Sequence, residues 1–161
     1  MTDSVAIIGS GLIGRAWAMI FARAGWDVRL FDAVVGIAEA AIPLCAEGLR
    51  TLAEHGLCPD PEGAAGRIRA PEGLAACLDG VGFVQENGPE RLDVKQALFA
   101  ELDALAPPDA IIASSSSAIR CSLFTEGLPG RGRCLIGHPV NPPHLIPLVE
   151  ISGAPWTDTA T

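Results

Sequence analysis

Two hydrophobic rhythms alternate along the chain. Short, largely apolar segments occur at 4–9 (SVAIIG), 81–85 (VGFVQ), 110–113 (AIIA) and 134–137 (CLIG), and 26–31 (WDVRLF) interleaves Asp27 and Arg29 with apolar residues. Runs of this length predict strands buried on both faces. Between them lie longer stretches in which apolar residues recur at helical spacing. These predict helices over 15–24 (RAWAMIFARA, with Gly25 as the stop), 36–55 and 90–105, the last with apolar positions at Leu92, Leu98, Leu102 and Leu105. Shorter segments predict a strand at 67–70, a helix at 73–78 and a last strand at 145–151, while 57–66 (LCPDPEGAAG) predicts a Pro/Gly loop. Strands alternating with helices imply βαβ units. The expected class is therefore α/β, a doubly wound, mostly parallel sheet with helices on both faces.

The stretch 9–14, GSGLIG, sharpens that expectation. It is a GxGxxG placed after a predicted strand and before a predicted helix, with an acidic residue, Asp32, at the end of the second strand. This is the context of a Rossmann-like dinucleotide site. Gly9 permits the tight turn, Gly11 lets backbone approach a pyrophosphate, and Gly14 lets the helix sit close on the strand. The backbone of Leu12 and Ile13 completes the first helical turn, whose free N–H groups favour phosphate. Asp32 would accept hydrogen bonds from ribose hydroxyls and repel a 2′-phosphate, so NAD is expected over NADP. Arg29, further back on the same strand, points elsewhere.

Composition removes several alternatives. With 161 residues, 49% hydrophobic and 19% charged, the chain suits one globular domain. A net charge of −8 argues against nucleic acid as a partner. No apolar run is long enough to span a membrane, and no basic segment precedes the first apolar run, so no secretory signal is expected. The five cysteines (45, 58, 77, 121, 134) show no CxxC spacing and predict small buried thiols in a reducing cytoplasm, with neither a disulfide framework nor a metal site.

The segment 137–151, GHPVNPPHLIPLVEI, sets His138 and Glu150 at the two ends of a proline-rich stretch. A neutral imidazole can take a proton from an alcohol and return it. A carboxylate on its other nitrogen fixes the tautomer and stabilises the imidazolium. The prolines hold the two ends face to face and remove donors that a loop would leave unpaired. Of the other histidines, His144 is expected at solvent or at the substrate mouth, and His55 at a helix end.

GSGLIG, VQENGPERLDVK (84–95), ASSSSAI (113–119) and GHPVNPPHLIPLVEI together resemble the 3-hydroxyacyl-CoA dehydrogenase family over essentially the whole chain. The HPVNPP form looks most like the branch containing λ-crystallin and L-gulonate 3-dehydrogenase. The resemblance implies an NAD-dependent oxidoreductase that moves a hydride between NAD and the C3 carbon of a 3-hydroxy acid or its CoA ester. His138 matches the family's catalytic base, Glu150 its partner, and Ser117 the catalytic serine, with Ser116 as the fallback within the serine run. Glu86 matches a cofactor-contacting glutamate and Asn141 an asparagine near the nicotinamide; a second cofactor contact falls at Arg91, where the pattern departs. The resemblance also implies that residues 1–152 form the NAD-binding domain. Residues 153–161 would begin a linker to a helical domain, which carries the dimer interface, so a homo-oligomer is expected only with that domain present. The isolated chain is then expected to bind NAD with little turnover. Residues 51–66 carry no Lys or Arg for a CoA tail, which tilts the substrate towards a small hydroxy acid such as L-gulonate or L-carnitine. The competing reading is a non-catalytic NAD-binding or structural module.

Overall fold

The computed structural model describes residues 3–161. The strands are β1 (Ser4–Ile8), β2 (Asp27–Phe31), β3 (Ile68–Arg69), β4 (Phe83–Glu86), β5 (Ile111–Ser114), β6 (Cys134–Pro139) and β7 (Val149–Gly153). They form one sheet in the order β3-β2-β1-β4-β5-β6-β7. Pairing is parallel from β3 through β6, and β7 runs antiparallel along β6. The helices are α1 (Leu12–Arg23), α2 (Ile37–Glu54), α3 (Pro61–Ala65), α4 (Leu74–Leu78), α5 (Leu92–Leu105) and α6 (Ser122–Thr125).

Alternation along β1 divides the core. Val5 and Ile7 enter the layer that holds Trp17 of α1 and Leu49 of α2. Ala6 and Ile8 enter the opposite layer, with Phe99 of α5 and Phe124 of α6. Successive side chains of a strand point to opposite faces, so a strand covered on both sides must be apolar throughout. Connections leave β1 and β4 in opposite directions, and the loops after these two strands diverge. This opens a crevice at their carboxyl ends, where ligands bind in open α/β sheets.

The structure corrects the reading of several segments. Residues 57–66 are not all loop, because α3 forms there: the Asp60 side chain caps Gly63 N and Pro61 occupies the first turn, where its missing N–H costs nothing. Of the apolar positions read on this helix, Leu102 is buried and Leu92 and Leu105 are exposed; α5 also buries Lys95 and Phe99. The last strand begins at Val149, leaving 145–148 as irregular chain, and α6 was not foreseen. The five thiols are all buried and free. Among the described residues, no helix is long and apolar enough to cross a membrane.

Candidate functional site

Two clefts open at the carboxyl end of the sheet. The first, about 770 Å³, lies between the β1–α1 turn, Asp32 after β2 and the β4–α5 loop, with Gly9, Gly11, Asp32, Asn87 and Asp93 among its lining. The glycines have separate reasons to be there. Gly9 sits at φ +89°, a left-handed conformation, and a Cβ on it would meet Asn87 O at 2.9 Å. A Cβ on Gly14 would lie 1.8 Å from Gly9 O, so α1 can approach β1 only without one. Gly11 has nothing within 4 Å of where a Cβ would stand: it faces open space. Gly11 is also the N-cap of α1 and brings no capping side chain, so the amides of the first turn, Leu12 and Ile13 included, look into the cleft uncapped.

Asp32 stands at the rim of this cleft. Its Oδ2 accepts from Ser10 N at 2.8 Å and its Oδ1 from Val34 N at 3.0 Å. The carboxylate is thus fixed in orientation, and each oxygen keeps a lone pair for another donor. Among the described residues, the charged ones lining the cleft are Asp32, Asp93 and Glu101, with no cation among them. Arg29 turns away as expected and donates to the carbonyls of Ala76, Cys77 and Asp79 around α4.

The second cleft, about 300 Å³, is formed by the loop after β5 and by the β6–β7 pair. Antiparallel register sets His138 directly opposite Glu150, and the His138 Nδ1 to Glu150 Oε2 distance is 2.9 Å. With Nδ1 occupied, Nε2 is the nitrogen left for a ligand. Ser117 lines the same cleft, so the structure brings together the three residues singled out for chemistry.

The four serines of 114–117 separate into different roles. Ser114 Oγ donates to Glu86 Oε2 at 2.6 Å. Ser115 Oγ accepts from Trp17 Nε1 and Gln85 Nε2 and donates to Asn87 Oδ1. Ser116 Oγ donates to Glu90 Oε1 at 2.6 Å and is 3% exposed. Only Ser117 is exposed with a hydroxyl that has no hydrogen-bond partner among the described residues. The fallback, Ser116, is therefore committed to the scaffold.

That scaffold is an ionic network which the sequence reading missed. Glu90 Oε1 gathers Ser117 N, Ala118 N and Ile119 N at 3.1, 2.8 and 3.1 Å, clamping the loop that carries Ser117. Burial pushes the Glu90 carboxyl upward, but the Ser116 hydroxyl, the loop amides and Lys95 outweigh it and hold it below the ordinary carboxylate range. Lys95, 1% exposed, reaches Glu86 Oε2 at 2.8 Å and Ser114 Oγ at 3.4 Å.

Glu86, expected as a cofactor contact, is wholly buried and lines neither cleft, with its carboxylate occupied by Lys95, Ser114 and Gly88 N. Asn141 stands exposed in the turn between β6 and β7, outside both clefts. Arg91 is exposed and paired with Asp93. His55 caps the end of α2, its Nδ1 2.9 Å from Thr51 O. His144 does not face solvent freely: it is half-buried with Nδ1 unpartnered, and lines a groove of about 520 Å³ with Arg15, Thr51 and His55.

Comparison with known proteins agrees with this architecture. Residues 4–161 match the family model described as 3-hydroxyacyl-CoA dehydrogenase, NAD binding domain. The chain is 41% identical over 160 residues to the lambda-crystallin homolog of Bos taurus, covering 98% of this chain and 50% of that protein. It is 39% identical over 152 residues to the L-carnitine dehydrogenase of Pseudomonas putida, covering 94% of this chain and 47% of that protein. The crystal structure of 3-hydroxybutyryl-CoA dehydrogenase from Escherichia coli superposes with a TM-score of 0.91 at 28% identity, over 99% of this chain and 34% of that one. The chain thus spans about half the length of the curated relatives it matches.

Proposed function

The chain belongs to the 3-hydroxyacyl-CoA dehydrogenase family as an NAD-binding domain, and from that premise we propose that it carries the proton-handling half of a 3-hydroxy acid or 3-hydroxyacyl-CoA dehydrogenase site. The observation that carries the reading is the His138–Glu150 pair, at 2.9 Å in the same cleft as Ser117. The first cleft fits the dinucleotide. Gly11 leaves open the volume a pyrophosphate needs, the uncapped α1 amides face it, and Asp32 has lone pairs for ribose hydroxyls. An all-acidic lining disfavours an added 2′-phosphate. When bound, NAD supplies the hydride acceptor.

In the oxidative direction His138 Nε2 takes the proton of the C3 hydroxyl. Glu150 keeps Nδ1 protonated, so Nε2 presents a lone pair, and it stabilises the imidazolium once formed. The Ser117 hydroxyl donates to the substrate oxygen as it becomes a carbonyl. In reduction the same proton returns. General-base catalysis of this kind contributes about 10²–10⁴-fold.

The reading includes a partner domain. Leu145, Leu148 and Ile151 are exposed by half or more in and just before β7, the strand that carries Glu150, and every residue of β7 is exposed. Exposed apolar residues along the edge strand that carries Glu150 are suited to being covered by further chain, which would also dry the site and strengthen its electrostatics. The functional unit is therefore residues 1–152 plus a helical domain following 153–161. The test is NADH consumption by the purified 161 residues with short 3-oxo acids. Slow turnover that falls about 10²-fold or more in His138→Gln is expected. Robust turnover would contradict the incomplete site, and residual turnover indifferent to His138 would contradict its role as base.

A further inference from the structure

Among the described residues, Arg120 is the only permanent cation lining the His138 cleft. Among the described residues its guanidinium has neither an ion pair nor a hydrogen bond. The acidic group in the same cleft, Glu150, already has a partner in His138. A solvent-facing arginine without a partner is ordinary on a surface. One placed in the cleft with the proton acceptor is a recognition group in search of an anion.

We infer that this cleft selects a substrate bearing its own carboxylate, a free short-chain 3-hydroxy acid, and that Arg120 is the specificity-determining residue that takes the carboxylate. The inference rests on the proposed reading of His138 and Ser117. Three observations carry it further. First, Ser117 and Arg120 leave the same short loop, whose amides Glu90 clamps, so hydroxyl and carboxylate recognition share one rigid base. Second, the chain carries a net charge of −8, so an anionic substrate gains nothing from the overall field and needs a local cation. Third, the cleft is only about 300 Å³, a size for a small molecule. A CoA ester has no charge at C1 to meet Arg120. Its polyphosphate tail would find few cations nearby: among the described residues the groove beside α2 offers Arg15 as its one permanent cation, and burial and then Arg23 lower the pKa of His144 there.

The test uses the purified chain with NADH, at fixed ionic strength. The imidazole NMR signals of His138 follow titrations with 3-hydroxybutyrate and with the neutral 3-hydroxybutyramide. The acid should bind at least about tenfold more tightly than the amide, a difference of about 1.4 kcal/mol. Arg120→Gln should erase that ratio while leaving the amide unchanged, and Arg120→Lys should restore part of it. Equal binding of acid and amide by the unaltered chain would overturn the inference, as would no binding of either. So would an Arg120→Gln variant that keeps the preference but shifts the His138 titration, since the guanidinium would then serve Glu150. NADH affinity, measured in the same samples, separates the outcomes. Intact NADH binding without acid preference defeats this inference alone, whereas absent NADH binding defeats the functional reading beneath it.

Discussion

Replacing Lys95 by Met isolates the contribution of the buried network under the Ser117 loop. Methionine keeps most of the side-chain length, so the cavity term is small. What is lost is the ammonium that lies 2.8 Å from Glu86 Oε2. Glu86 is fully buried, and its remaining partners are Ser114 Oγ and Gly88 N, neither of which carries charge. Removing one member of a buried ion pair costs about 3–5 kcal/mol, because the other charge stays behind uncompensated. Against a typical domain stability of about 5–15 kcal/mol, that is a large fraction. The assay is urea unfolding of wild type, Lys95→Met, Glu86→Gln and the double variant. In the double variant no charge is stranded: the Gln oxygen can still accept from Gly88 N, and its NH2 can donate to the Ser114 hydroxyl, which rotates to accept. The double should therefore be more stable than Lys95→Met, with about 1–3 kcal/mol of coupling. A single-variant cost below about 1 kcal/mol, or a double variant less stable than Lys95→Met, would refute the claim that this pair acts as a unit.

Other expectations test other parts of the molecule. Gly14→Ala should cost more than about 2 kcal/mol by urea unfolding, because its methyl would collide with Gly9 O at 1.8 Å. Gly11→Ala, with open space at that position, should keep stability within about 1 kcal/mol yet weaken NADH binding by roughly tenfold or more. Glu90→Gln should lose stability at neutral pH. Since the native carboxyl is held low, the wild-type advantage is present above the unfolded pKa and is lost as pH falls through the native one, so the two unfolding curves should converge in acid. Burial pushes the Cys77 and Cys134 thiols up to about 12, and all five cysteines are buried. A disulfide reagent at pH 8 should therefore find no rapidly reacting thiol until denaturant is added.

Much of this could be read from the sequence, for physical reasons that differ by element. The central strands were legible because a parallel sheet covered on both faces demands largely apolar segments, while β2 shows the alternation of a half-buried strand. The glycine turn was legible because each glycine answers a separate steric demand, which the Cβ contacts of Gly9 and Gly14 bear out. His138 and Glu150 were legible as a pair because antiparallel register across a proline-stiffened turn sets them opposite each other. The ionic network was not legible. Lys95 is the chain's single lysine, and a charged residue on a helix reads as solvated until the fold buries it. Leu92 and Leu105 misled for the complementary reason: exposed leucines are common, and a helical repeat does not say which of its members face the core. The serine run concealed its own division of labour, since four identical side chains become distinct only when Trp17, Gln85, Glu86 and Glu90 reach them from other elements.

The central claim is that the crevice above β1 and β4 holds NAD through Gly11, the α1 amides and Asp32. Calorimetric titration of the purified chain with NADH and with NADPH tests it most directly. The account predicts NADH binding with a dissociation constant on the order of micromolar. It also predicts NADPH binding weaker by tenfold or more, with the discrimination lost in Asp32→Asn. Equal affinity for the two, or discrimination unchanged without the Asp32 charge, would contradict it.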